Sequence, residues 1–393
     1  MSRLLETMTP ALPVDGTAGA LAGRVWRPDM AGPSVVAIRD AGVIDISANF
    51  ATMRDLAEAP DPAAALRAAT GENLGPLAEI LANTPVDHRD AARPWLLAPV
   101  DLQAIKAAGV TFAISMLERV IEERARGNSD AAGALRAEVT RLIGDDLSKL
   151  KPGSAEAMAL KAALIKAGAW SQYLEVGIGP DAEIFTKAQP RAAVGTGMDA
   201  GVHPSSSWNN PEPEMVLVVN AAGAIVGATL GNDVNLRDIE GRSALLLGKA
   251  KDNNAATALG PFIRFFDATF GIADVRQAVV SLTVAGEDNF RLEGSSSMAQ
   301  ISRDPEDLAG QMLNAHHRFP DGAVLFCGTM FAPVQDRGAP GQGFTHRTGD
   351  VVTISTPKLG RLVNRIRPTD ACEAWTFGSG ALMRNLARRG LLG

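Results

Sequence analysis

Residues Pro211-Glu212-Pro213-Glu214-Met215-Val216-Leu217-Val218-Val219-Asn220 place two carboxylates at the head of an apolar, β-branched run, and Asp233 follows Glu214 by 19 positions. Strand side chains alternate between faces, so Glu212 and Glu214 share one face of the strand this run predicts. Asn220-Ala221-Ala222-Gly223 carries turn chemistry, and Ala224 to Leu230 reads as the returning strand. If those four residues form the loop, Val219 pairs with Ala224 and Glu212 falls opposite Gly231. Asp233 then lies one diagonal step from Glu212. Three carboxylates converge at one end of an otherwise apolar hairpin. Like charges that close are costly unless a proton or a cation offsets them. Oxygen-only ligands suit a hard divalent ion: Mg²⁺, with Mn²⁺ or Ca²⁺ as alternatives. A solvated hairpin end is the competing reading, and the residues downstream count against it.

A chain of 393 residues can bury a large core and suggests two or three domains. Its 46% hydrophobic and 21% charged residues are ordinary for a globular protein. A net charge of −6 argues against a nucleic-acid footprint or an anionic membrane partner. The two cysteines, Cys327 and Cys372, fit a reducing compartment without a disulfide framework. Met1 to Gly16 has no secretory hydrophobic region, and the apolar stretch from Met215 to Gly231 is a hairpin rather than a membrane span. A cytoplasmic location is the default expectation.

Around the hairpin the chain changes texture several times. Short strands are expected at Leu21 to Trp26, Ser34 to Arg39 and Gly42 to Ile46, and a helical stretch from Ala59 to Pro85. These mark a small N-terminal α+β domain over residues 1–92. Three helical segments follow, Leu102 to Gly127, Ala131 to Leu150 and Ser154 to Gly177, with Lys151-Pro152-Gly153-Ser154 as a stop and cap. From about residue 180 the chain turns to short strands and Gly/Pro turns, broken by a helix-like Pro305 to His317. A last strand pair, Asp350 to Ser355 and Leu359 to Ile366, closes it. The fold class is α+β, with a catalytic domain over 93–393 made of a helical entrance (100–178) and a β-rich core (180–370).

Several short motifs follow one another in this core: Glu183-Ile184-Phe185-Thr186-Lys187, the Glu212/Glu214 strand, Gly231-Asn232-Asp233-Val234-Asn235-Leu236-Arg237-Asp238, Gly248-Lys249-Ala250-Lys251 ahead of Leu259-Gly260-Pro261, Cys327-Gly328-Thr329, and Gly349-Asp350-Val351-Val352-Thr353. In that order they resemble the fumarylacetoacetate hydrolase family over about residues 180 to 367. The resemblance implies a β-roll catalytic fold that binds Mg²⁺ or Mn²⁺ at Glu212, Glu214 and Asp233. It also implies that the ion chelates a 2-oxo acid, polarises its ketone and stabilises an enolate. Counting back from Leu259-Gly260-Pro261 puts Lys251 at the family's active-site lysine, with Lys249 as the rival. Lys187 or Arg237 would hold the substrate carboxylate, although Arg237 beside Asp238 is equally a structural ion pair. Thr329 resembles the family's threonine near that carboxylate. Members of the family form dimers or tetramers, so a homodimer or homotetramer is expected.

Departures from the family pattern point to the reaction. Asn235 replaces the usual serine, Asn254 stands where aspartate is common, and Gly328-Thr329-Met330 lacks the usual proline. Hydrolytic members use a lid histidine to activate water, but this chain has no histidine between His88 and His203. The entrance helix offers Glu118, Arg119 and Glu122 instead. Glu118 and Glu122 share a helix face at i, i+4 and suit general acid work on a departing hydroxyl; a solvated charged face is the alternative. This pattern looks like the family's sugar-acid dehydratase branch. The resemblance then implies loss of water from a 2-keto-3-deoxy-pentonate of the D-xylonate or D-arabinonate type, giving 2,5-dioxopentanoate. In that scheme Lys251 takes a C3 proton, and Glu118 or Glu122 protonates the leaving C4 hydroxyl. A carbon–carbon hydrolase or oxaloacetate decarboxylase is the second reading, and a non-catalytic sugar-acid-binding protein the third. His316-His317, Ser295-Ser296-Ser297, Gly338 to Gly343 and Trp170 with Tyr173 carry no comparable constellation.

Overall fold

In the computed structural model, residues 3–126, 128, 150–166, 168, 170–329, 333–338 and 343–392 are described. The predicted hairpin is the centre of the architecture. Its arms are strands Pro213–Val219 and Ile225–Asp233, and every residue of the first arm is buried. Alternation sends the two sides of that arm into different cores. Met215, Leu217 and Val219 pack with Leu282, Val352, Ile354 and Leu362. Val216 and Val218 pack with Val35, Met53, Leu56, Ile263 and Phe326. Glu212 and Glu214 therefore continue the Val216 face.

The register differs from the simple hairpin. Asn220 caps the turn, accepting the Gly223 N–H on its backbone oxygen and the Ala224 N–H on its side chain, both at 2.9 Å. Pairing begins at Val219–Ile225, one residue later than a four-residue loop gives, and a bulge before Gly227 shifts it once more. As a result Glu214, not Glu212, faces Gly231. The Asp233 N–H donates to the Glu212 carbonyl at 3.0 Å, so those two residues are directly opposite rather than diagonal. An extra residue in one strand is what a β-bulge supplies, and it brings the carboxylates closer than the unbulged register would.

This hairpin lies inside an 11-stranded sheet, with Thr257–Phe265 beside the second arm and Ala323–Phe326 beside the first. A second, five-stranded sheet is built from Asp199–Val202, Val279–Ala285, Arg291–Ser297, Val351–Thr356 and Gly360–Pro368. The mixed α and β content and the two sheets match the α+β expectation. The N-terminal strands Ala20–Arg27, Gly32–Arg39 and Gly42–Asp45 form close to their expected positions. Ala20–Arg27 pairs with Thr257–Phe265, so the proposed boundary near residue 92 falls within one continuous sheet.

The helical segments are corrected in three places. The helix expected from Leu102 begins only at Ala113, and Ala104–Gly109 is a strand parallel to Ala323–Phe326. Alanine favours helix, but pairing with a buried strand overrides that local preference. The stretch expected as one helix from Ser154 is two, Ala155–Lys166 and Gln172–Ile178. Ala59 to Pro85 likewise divides into Pro62–Ala68 and Leu77–Ala82 around a short strand. The helix expected over Ala131 to Leu150 lies outside the described residues apart from its last residue.

Asp350 ties the segment before the last strand pair to the second sheet. It accepts from Arg337 at 2.5 and 2.8 Å and from the Arg347 N–H at 2.9 Å, and lies 3.3 Å from His346 Nδ1. Burial opposes its ionisation, but the bonds from His346, Arg337 and the Arg347 N–H win and pull its pKa down to about 2. A depressed carboxylate pKa stabilises the fold above the unfolded value and loses that stabilisation as pH falls through the folded one. Asp350→Asn is therefore expected to cost about 1–2 kcal/mol at neutral pH, after allowance for solvent screening. Denaturant melts of wild type and variant should converge between the ordinary aspartate pKa of 3.8 and about 2.

Candidate metal centre

One oxygen from each of Glu212, Glu214 and Asp233 lies within 4.8 Å of the others, and all three residues are buried. Gly231 lets the group assemble: a side chain there would meet the Phe326 ring at 2.2 Å, and Phe326 closes the face beside Glu214. Lys251 comes from the short helix Leu247–Lys251, its Nζ 2.6 Å from Glu212 and 3.3 Å from Asp233. Lys249, two positions earlier, is exposed. Of the two lysines, Lys251 is the one beside the carboxylates.

The charges are unevenly matched. Burial favours a neutral Glu212, but Arg119 and Lys251 outweigh it and hold its pKa low. Glu214 has no cation within ion-pair distance among the described residues. One of its oxygens accepts the Gly328 N–H at 2.6 Å. Burial, Asp233 and Glu212 together push its pKa well up. A buried carboxylate in that position needs a proton or a cation. The three-oxygen set fits a hard divalent ion such as Mg²⁺. Burial works against the Lys251 ammonium, yet Asp233, Glu212 and Glu240 prevail and keep it charged.

A cavity of about 20 Å³ lies over these groups, lined also by Arg119, Glu183, Glu240 and Thr329. Thr329 lines this cavity, and its hydroxyl is buried there without a hydrogen-bond partner among the described residues. Lys187 does not reach the cavity. It lies fully buried under Asp233 at 3.1 Å and donates to the Lys251 carbonyl, so it braces the site instead of facing a ligand. Arg237 is also spent. It binds Glu122 at 2.6 Å, Glu118 at 3.1 Å and the Pro333 carbonyl at 3.2 Å, over the face of Trp208. Its neighbour Asp238 is not its partner and accepts from Ser206 and Ser207.

Glu118 and Glu122 do share a buried helix face, but it meets guanidiniums. Glu122 is also held by Arg119 at 2.6 Å. Neither lines the cavity. Three residues that do line it carry chemistry the sequence did not single out. Arg119 binds Glu212 and lies 3.2 Å from Glu240. Burial and Arg119's other partners leave Glu240 with a raised pKa despite Arg119 and Lys251. Glu183, at the start of strand Glu183–Ala188, forms no ion pair among the described residues; burial first, then Glu240, push its pKa up to about 7. Its side chain fits because its partner is Gly109, where a Cβ would lie 1.9 Å from Glu183 Oε2.

Residues 180–367 match the family model described as fumarylacetoacetate (FAA) hydrolase, C-terminal. Over this segment the chain is similar to the fumarylacetoacetate hydrolase family. A relative named 2-dehydro-3-deoxy-D-arabinonate dehydratase, from Saccharolobus solfataricus, is 31% identical over 185 residues, 47% of this chain and 58% of its own. A probable 2-keto-3-deoxyxylonate dehydratase from Haloferax volcanii is 30% identical over 194 residues, 49% of this chain and 63% of its own. The chain thus aligns with less than two thirds of either relative. A solved 2-keto-3-deoxy-D-arabinonate dehydratase, complexed with magnesium and 2,5-dioxopentanoate, superposes with a TM-score of 0.61 at 20% identity. That match covers 88% of this chain and 99% of the other. The fold is the one this family uses.

Two outcomes test the centre without an assay. Added Mg²⁺ should raise the wild-type melting temperature, by about 2.7 kcal/mol of stabilisation at a hundredfold excess over Kd. Glu214→Gln should abolish that rise while remaining folded; a preserved rise would remove Glu214 from the site. Gly109→Ala should displace Glu183 and leave the Mg²⁺-induced rise intact.

Proposed function

We propose that this protein is a Mg²⁺-dependent dehydratase converting a 2-keto-3-deoxy-pentonate of the D-xylonate or D-arabinonate type to 2,5-dioxopentanoate. The observation that carries this reading is a base and an acid, Lys251 and Glu183, lining one cavity with the carboxylate triad. Names of the two relatives support the substrate class, as does the ligand named for the solved structure.

Glu212, Glu214 and Asp233 would hold the ion. When bound, Mg²⁺ supplies a Lewis acid for the 2-oxo acid, favouring negative charge on the keto oxygen. Lys251, once its ammonium proton has passed to water, removes the proton at C3. The carboxylates that hold its charge are shared with the ion site, so its proton is least firmly held when Glu212 and Asp233 turn away from it. Thr329 offers its unpartnered hydroxyl to the substrate carboxylate. Glu183 gives its proton to the C4 hydroxyl, which departs as water and leaves a C3–C4 double bond; loss of a C5 proton and return of one to C3 give the C4–C5 enol, which tautomerises to the aldehyde. This moves the proposed acid from Glu118 or Glu122, which are ion-paired to Arg237 and Arg119 away from the cavity, to a group protonated in part near neutrality. Lys187 positions Asp233, and Arg237 fixes the entrance helix.

Carbon–carbon hydrolysis is the alternative, and no histidine is among the described residues lining the cavity. We place the protein in the cell interior as a dimer or tetramer, as members of the family are.

Incubation with Mg²⁺ and racemic 2-keto-3-deoxypentonate should yield 2,5-dioxopentanoate. Turnover of acylpyruvates without that product would sink the dehydratase reading. Activity should fall as pH rises through about 7, where Glu183 loses its proton. Glu183→Gln should lower kcat by about 10²- to 10⁴-fold and remove that limb of the profile. A profile unchanged in the variant would rule Glu183 out as the acid.

A further inference from the structure

A larger cavity, about 270 Å³, opens between strand Ala20–Arg27, the 191–198 segment and the 373–377 segment. It shares no lining residue with the carboxylate cavity. Its walls are aromatic. Trp26 stacks on Trp95 at 5.8 Å and meets Phe377 edge-on at 5.0 Å, while Trp375, 45% exposed, lines the opening.

The polar end is cationic and incompletely bonded. Arg24 is 4% exposed and donates Nη1 to the Ala98 and Val100 carbonyls at 3.2 and 2.5 Å. Arg191 donates Nε to the Phe377 carbonyl at 3.1 Å. Arg24 Nη2 and Arg191 Nη1 are both buried without a hydrogen-bond partner among the described residues. Nearby acids do not fill the gap. Asp101 lies 3.6 Å from Arg24 Nε, but its oxygens accept the Met53 and Arg54 N–H groups at 2.7 and 3.1 Å. Glu373 is held by Arg89 at 2.9 Å. Burial, and then the charge of Arg24, pull Arg191 down to about 9.

Buried guanidinium N–H groups left unpaired cost free energy, and a carboxylate accepting from both would recover it. Flat indole and phenyl faces favour an aromatic body. The volume lies just under the range of ordinary ligand pockets, which limits the guest to a small molecule. We propose that this cavity binds a small, flat aromatic carboxylate, its ring against Trp26, Trp375 and Phe377 and its carboxylate across Arg24 and Arg191. This site stands apart from the lyase chemistry and would survive its failure.

The test titrates the full-length protein with 2-naphthoate, followed by tryptophan fluorescence and calorimetry. Saturable binding of one ligand per chain is expected. Neutral 2-naphthalenemethanol and ring-free acetate should each bind at least about tenfold more weakly. Arg191→Gln should weaken 2-naphthoate at least about tenfold while keeping the wild-type melting temperature. If that variant melts early, Trp375→Ala at the rim provides the second check and should also weaken binding. Equal affinity for the neutral alcohol, unchanged affinity in the arginine variant, or no saturable binding would overturn the proposal. Loss of binding as protein concentration rises would also overturn it, because a second copy would then be covering the cavity.

Discussion

Three buried carboxylates within 4.8 Å of one another are the constraint to which the surrounding structure answers. Taking one ion out of water costs several kcal/mol, so such a group cannot be a by-product of folding. The protein offsets part of that cost with cations: Lys251 and Arg119 on Glu212, Lys187 and Lys251 on Asp233. Glu214 has none among the described residues. Fully burying a Val, Leu or Met side chain returns about 1.5–3 kcal/mol. The five apolar residues from Met215 to Val219, all fully buried, therefore anchor the charged end they precede.

That coupling of apolar run to charged head is why the hairpin was legible in sequence. Period-two alternation, the Asn220 turn and the carboxylate spacing are all local signals. The bulge before Gly227 is not, and it altered which residues oppose each other without dispersing the triad. Ala104–Gly109 escaped for a related reason. Its alanines favour helix locally, and only partners distant in sequence, Glu183–Ala188 on one side and Ala323–Phe326 on the other, make it a strand.

The site was legible where chemistry follows the backbone and illegible where tertiary packing assigns the role. Glu118 and Glu122 have the face-sharing that their spacing promised. Nothing in that spacing says that Arg119 and Arg237 meet the same face and fix both acids as partners. Glu183 was visible as the first residue of the Phe-x-Lys element, yet a lone acid at a strand start looks like an exposed edge. What raises its pKa is burial first and then the charge of Glu240, and neither is local.

Arg119 links helix Ala113–Arg124 to the centre through Glu212 and, at 3.2 Å, to Glu240 beside it. Glu212 gives one oxygen to Arg119 and the other to Lys251, while it also belongs to the triad. A cavity of about 20 Å³ admits a guest the size of an ion or a water but not a pentonate. For the proposed substrate to enter, the elements over the cavity must move, and Arg119 is one of the bonds that hold its helix down, beside those of Arg237 to Glu118 and Glu122. An oxygen of Glu212 that turns to a cation is weakened as a partner for that guanidinium, so helix position and occupancy of the triad bias one another. Linkage makes the bias reciprocal: whatever lifts Arg119 from Glu212 strengthens the triad's hold on its ion by the same factor.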